Sequence, residues 1–164
     1  MQGHPPKFRE ALESLARHEV EFIVVGGVAA VLCGAPISTF DLDLVHARDP
    51  ENVARLVAAL RDLDARYRDP AGRILRPDPA SLAGEGHHLL MTRCGPLDVL
   101  GRIGAGEGYA ELLADSAPRP LGDMSVRVLG LAALIRTKAA AGRPKDHAVL
   151  AILRRTLEEA GGKG

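Results

Sequence analysis

Two periods of hydrophobicity divide this chain. Phe8, Ala11, Leu12 and Leu15 recur at helical spacing, which predicts a helix over residues 5–18. The run VEFIVV that follows is β-branched, is bounded by Gly26-Gly27, and reads as a buried strand. VAAVLCG predicts a short helix ending at Gly34, and TFDLDLVHA a second strand. Asp49-Pro50 supplies an N-cap and a first-turn proline for a third helix. Its stripe of Val53, Leu56, Val57, Leu60 and Leu63 faces a core. Residues 68–86 are dominated by Pro, Gly, Asp and Ser, predicting turns around one short strand at RILRP. HHLLMTR and LDVLG flank Cys94-Gly95-Pro96 as antiparallel neighbours. GRIGAGEG reads as a flexible loop, YAELLADS as a short helix and MSVRVL as a strand. Helices over residues 129–141 and 146–159 close the chain around Gly142-Arg143-Pro144, leaving GGKG as a frayed tail. With at least one antiparallel hairpin, the pattern implies an α+β fold rather than an all-parallel doubly wound sheet.

The second strand interrupts its own apolar pattern. Asp41 and Asp43 alternate with Leu42 and Leu44, so both carboxylates point to one face. Two carboxylates ~7 Å apart along a pleat can lean onto one site. Held together they disfavour each other's ionisation unless a cation lies between them. Mg²⁺ takes oxygen ligands, typically one or two carboxylates with phosphates and water; a strand face turned to water is the structural alternative. Asp98, between Leu97 and Val99 on a strand expected to neighbour the second one, offers a third carboxylate, as a two-metal site needs, or else faces water at an edge.

Gly26-Gly27 separates a strand from a helix, where bare backbone admits a phosphate or simply turns tightly. Lys138 continues the stripe of Leu131, Leu134 and Ile135 at i+7, on or beside the inward face. From there it reaches a phosphate or snorkels to solvent. GRPKD follows, with Arg143 and Lys145 as further phosphate contacts and Asp146 as N-cap of the last helix.

Composition narrows the partners. At 164 residues the chain is expected to form one domain, residues 1–164, with the helices of 129–159 packed on it. Its 21 Lys+Arg balance 21 Asp+Glu, which argues against wholesale coating of nucleic acid. Residues 119–156, however, hold eight basic and two acidic side chains, net +6, a segment suited to RNA. Aromatics are 3% with no Trp, so base-stacking platforms are not expected. Cys33 and Cys94 lack any zinc spacing and read as reduced thiols. No apolar run reaches the ~18 residues of a membrane span and no leader is visible, so a cytoplasmic protein without membrane partners is expected. GRIGAGEG is not a G-x-G-x-x-G motif, no P-loop is present, His87-His88 cannot share a metal from one strand, and Ser38 and Ser81 lack a nucleophile elbow.

VVGGVAA followed by TFDLDL and an acidic residue in LDVL resembles the nucleotidyltransferase superfamily, whose fold is that of the DNA polymerase beta catalytic core. The tail VRVLGLAALIRTKAAAGRPKD is similar to that of minimal bacterial nucleotidyltransferases and their abortive-infection toxin relatives. The resemblance spans roughly residues 8 to 157. It implies a mixed sheet flanked by helices, Mg²⁺ or Mn²⁺ as cofactor and an NTP as substrate. Asp41, Asp43 and Asp98 would be the catalytic, metal-binding acids. Gly26 and Gly27 would contact the triphosphate, assisted by Thr39 and Lys138, while Lys145 and Asp146 match the tail motif. The chain departs from the pattern at Ile37, where many relatives carry arginine, and at Val149, where they often carry an acid. The implied reaction passes a nucleoside monophosphate to a hydroxyl of RNA or tRNA, a protein or a small molecule. A non-catalytic nucleotide- or partner-binding module, such as one component of a toxin–antitoxin pair with its cognate antitoxin, is the rival expectation.

Overall fold

The computed structural model describes residues 6–161 of the chain. Pro5 and the tail beyond Gly161 lie outside the described residues. Helix α1 (Phe8–Arg17) buries Ala11, Leu12 and Leu15, the stripe that its spacing predicts. β1 (Phe22–Val25) is buried throughout and passes directly into α2 (Gly26–Leu32). β2 spans Leu42–His46, and α3 spans Pro50–Asp62 with the Asp49 carboxylate accepting the Asn52 N–H at 3.1 Å. The two-residue β3 (Arg66–Tyr67) precedes α4 (Pro79–Leu82), β4 (His87–Thr92) and β5 (Gly95–Leu100). α5 (Tyr109–Leu112) runs on into a 3₁₀ turn (Leu113–Asp115). β6 (Ser116–Leu121), β7 (Met124–Leu129), α6 (Leu131–Ala141), a 3₁₀ turn (Pro144–Asp146) and α7 (His147–Gly161) complete the order.

The seven strands form one mixed sheet in the order β3-β4-β5-β2-β1-β7-β6. β1 lies antiparallel to β2 and parallel to β7, and β2 lies parallel to β5. β4 pairs antiparallel with β5, the neighbour relation expected of HHLLMTR and LDVLG. The α+β class and the mixed sheet flanked by helices therefore hold. Leu42 and Leu44 are fully buried on the face opposite Asp41 and Asp43, so the apolar half of β2 anchors the strand in the core.

Several elements differ from the pattern's prediction, β6, RILRP, α6 and GRIGAGEG among them, and Asp41 lies just outside β2. β6 was hidden by Pro118 and Pro120, which cannot donate to a ladder; the strand lies at the sheet edge, where one side needs no partner. RILRP is irregular: Asp69 accepts from the Arg73 backbone and guanidinium, turning the chain, and only the Leu75 carbonyl meets the sheet, at the Tyr67 N–H. α6 starts at Leu131 because β7 runs to Leu129. GRIGAGEG is closed by an Ile103–Glu107 bridge rather than left free.

Candidate active site

One register row crosses the middle of the sheet. Val25 on β1 faces Asp43 on β2, Asp43 faces Asp98 on β5, and Asp98 faces Leu89 on β4. Partners in register present the same face, so Asp43 and Asp98 stand side by side. Asp41, just before β2, shares that face. All five residues line one cleft of about 760 Å³. Lys138, Arg143 and Lys145 line it from the far side, with Thr137 and Gly104 between.

Gly26 and Gly27 shape the floor in a specific way. Gly26 has φ +65°, and a Cβ there would overlap Asp43 Oδ2. A Cβ on Gly27 would stand 2.7 Å from Thr39 Cβ. The glycine pair is thus required by the approach of Asp43 and Thr39 to the backbone as much as by the turn. Gly26 lines the cleft; Gly27 and Thr39 lie beside it, with the Thr39 hydroxyl donating to the Asp41 carbonyl at 3.2 Å.

The acidic wall is short of positive charge. Burial, then the Asp98 and Asp41 carboxylates, push Asp43 up to about 7, against a weaker pull from Lys138. Burial likewise raises Asp98 from the ordinary carboxylate range, although the Arg68 guanidinium opposes it. Asp43 Oδ1 is buried with no hydrogen-bond partner. Arg68 donates to Asp98 Oδ1, and its other terminal nitrogen lies 3.9 Å from Asp41 Oδ1.

The basic wall is satisfied internally. Lys138 Nζ lies 3.3 Å from Asp146 Oδ1, and Arg143 Nε donates to Asp146 Oδ2 at 3.0 Å. Burial alone would raise Asp146; Lys138 and Arg143 outweigh it and hold the carboxyl below its ordinary value. Asp146 is therefore a buried acceptor in the 3₁₀ turn rather than the expected side-chain cap of α7, because two cations claim both its oxygens. Lys145 is exposed at the rim.

Whether the acids suit a divalent cation is decided by their donors. Three carboxylates converge on one face, and one buried oxygen among them lacks a partner, a donor set that fits a hard cation. Among the described residues no three His, Cys, Asp or Glu side chains are gathered closely enough to hold a metal ion as they stand, and the Arg68 guanidinium pairs with Asp98 and Asp41. Of the described histidines, only His87 lines the cleft. His46 and His88 are buried core residues bonded to the Leu82 carbonyl and the Tyr67 hydroxyl. Cys33 and Cys94 are free thiols.

Sequence reasoning missed Arg68, which sits in a turn-rich stretch with no local pattern to single it out. It also missed the Arg102–Glu85 pair (2.9 Å) that lines the cleft from the β4–β5 side. The net +6 segment does not gather into one patch. Arg136 is met by Glu107 and Asp115 and Arg155 by Glu159, while Lys138 and Arg143 pair with Asp146 and, with Lys145, line the cleft. Ile37 and Val149 both pack against the core. Among the described residues no helix is long and apolar enough to cross a membrane.

No family model and no curated protein matches the chain. Solved structures do match. A candidate nucleotidyltransferase from Thermotoga maritima superposes with a TM-score of 0.56 at 18% identity, over 93% of this chain and 91% of that one. The lincosamide antibiotic adenylyltransferase LnuA, solved with lincomycin bound, gives 0.61 at 14% identity, over 90% and 94%. The chain has the nucleotidyltransferase fold.

Proposed function

We propose that the protein transfers a nucleoside monophosphate from an NTP to a hydroxyl acceptor, releasing pyrophosphate. One observation carries the reading: three carboxylates, among them Asp43 with an unpartnered buried oxygen, line a single cleft of nucleotide size together with three basic side chains. Lys138, Arg143 and Lys145 would hold the triphosphate, and the bare backbone at Gly26 lets it approach the sheet. Asp41, Asp43 and Asp98 would hold Mg²⁺ or Mn²⁺, which when bound supplies charge neutralisation at the phosphates. Asp98 orients the acceptor hydroxyl and takes its proton as the new oxygen–phosphorus bond forms and the bond to pyrophosphate breaks. Gly27 and Thr39 act by shaping the wall behind Asp41.

The acceptor side of the cleft is walled by His87, Leu89, Leu100 and Ile103. That mixed apolar wall and the dispersal of the basic segment support a small hydroxyl compound over a long RNA. The structural neighbour LnuA is by its name an adenylyltransferase of a lincosamide antibiotic. A non-catalytic nucleotide- or partner-binding role is favoured by a different observation: Arg68 and Asp146 already engage charged groups of both walls.

The test supplies each of the four α-labelled NTPs with Mg²⁺ or Mn²⁺ to the chain and to Asp43→Asn, with RNA, protein and small-molecule fractions as acceptors. Label in the small-molecule fraction with matching pyrophosphate, from the unaltered chain only, is the expected result. Label in RNA that weakens steeply with salt would redirect the acceptor. Cation-dependent NTP binding without transfer would favour the binding module. Transfer that survives Asp43→Asn would overturn the mechanism.

A further inference from the structure

Arg68 enters the cleft from a fixed base. Its N–H donates to the Leu89 carbonyl at 3.1 Å, continuing the β3–β4 pairing by one residue. The side chain, two-thirds covered, crosses the sheet face to Asp98 on β5 and to Asp41 before β2. It does not reach the innermost oxygen, Asp43 Oδ1, which has no hydrogen-bond partner. Among the described residues Arg68 makes every ion pair of these three acids, while Lys138 is turned to Asp146.

We propose that Arg68 is the resident counter-charge of the acidic wall: a divalent cation displaces its guanidinium from Asp98, and the freed fork then turns to the phosphates of the bound nucleotide. The proposal rests on reading the cleft as a cation and nucleotide site. A cation held by Asp43 and Asp98 meets the guanidinium on the same carboxylate, and two positive charges at one oxygen repel. The guanidinium must withdraw, but only its side chain needs to move, because the backbone is held by Leu89. Arg68 lines the same cleft as Lys138, Arg143 and Lys145. A planar fork with five donors released there matches phosphate oxygens in a way a lysine cannot. Arg68 is thus a positioning residue before the nucleotide arrives and a phosphate contact afterwards.

The experiment titrates Mn²⁺ alone into the full chain, counting free Mn²⁺ by electron paramagnetic resonance. It then measures affinity for a non-hydrolysable ATP analogue at saturating Mn²⁺. Arg68→Gln is expected to bind Mn²⁺ about tenfold more tightly and the analogue about tenfold more weakly. Arg68→Lys, the fallback should the glutamine variant fail to fold, keeps the charge. It should bind Mn²⁺ within about twofold of the unaltered chain, while the analogue still weakens. Arg73→Gln, which removes an exposed charge paired with Asp69, should change neither affinity. Mn²⁺ binding that Asp43→Asn abolishes but Arg68→Gln leaves equal or weaker sinks the counter-charge and spares the cation site. Mn²⁺ binding untouched by Asp43→Asn removes the cation site and the proposal together.

Discussion

The two walls of the cleft carry opposite charge and opposite bookkeeping. On the strand side, Asp43 and Asp98 sit in register at the centre of the sheet and burial raises both; the Asp98 and Asp41 carboxylates push Asp43 further, whereas Arg68 and a hydrogen bond with Asp43 oppose the rise at Asp98. On the helix side, Asp146 is 5% exposed yet lies below its ordinary value, because Lys138 and Arg143 share its oxygens. Burial disfavours every carboxylate; a partner decides whether that penalty is offset. The helix wall is complete within the chain. The strand wall leaves Asp43 Oδ1 without a partner, and Arg68 pairs only with Asp98 and Asp41.

The largest effect should come from removing the unpaired acid. Asp43→Asn is expected to lower transfer by at least about 10³-fold, measured as pyrophosphate release, since one acid is lost while the cleft keeps its shape. Next is Gly26→Ala. Its φ of +65° alone disfavours a Cβ by about 1–2 kcal/mol, and the new carbon would overlap Asp43 Oδ2. A fall in melting temperature together with lost cation binding is expected; an unchanged melting curve would mean that the backbone there relaxes freely.

Breaking the complete wall should act through stability. Asp146→Ala leaves Lys138 covered without its acceptor and is expected to destabilise by about 2 kcal/mol, less than for a fully buried pair because Arg143 is half-exposed. Thermal melting measures it, and nucleotide affinity should weaken as Lys138 loses its anchor.

The smallest effect is a pH slope, and its sign separates the walls. Asp43 lies at about 7 in the folded protein against an ordinary 3.8, so the folded state holds a proton that the unfolded chain releases. Its contribution to stability is full below 3.8 and is lost as pH rises through about 7. Asp146 runs the other way: its contribution is present above 3.8 and is lost as pH falls through its lowered folded value. Without cation, Asp43→Asn should flatten the first slope, and Asp146→Asn should flatten the acid limb.

This asymmetry also marks what the sequence could reveal. Asp41, Asp43 and Asp98 were legible because an acid inside an alternating apolar strand conflicts with its surroundings, and Lys138 because it continues a helical stripe. Such conflicts are local. Arg68 conflicts with nothing nearby and meets Asp98 and Asp41 only because the sheet order β3-β4-β5-β2 lets its side chain reach past β4. Asp146 looked like a cap because the last helix follows it, but Lys138, eight residues upstream, outcompetes the helix end. β6 was obscured by prolines that only an edge position tolerates, and RILRP's apolar pair is exposed rather than paired.

The most direct measurement is the melting temperature of the unaltered chain and of Asp43→Asn at pH 8, with and without Mn²⁺. Without cation, Asp43→Asn is expected to melt higher than the unaltered chain, because an uncompensated charge is gone, and Mn²⁺ is expected to stabilise only the unaltered chain. A variant that melts lower without cation, or gains as much from Mn²⁺, would contradict the reading of Asp43 as a charge that a cation offsets.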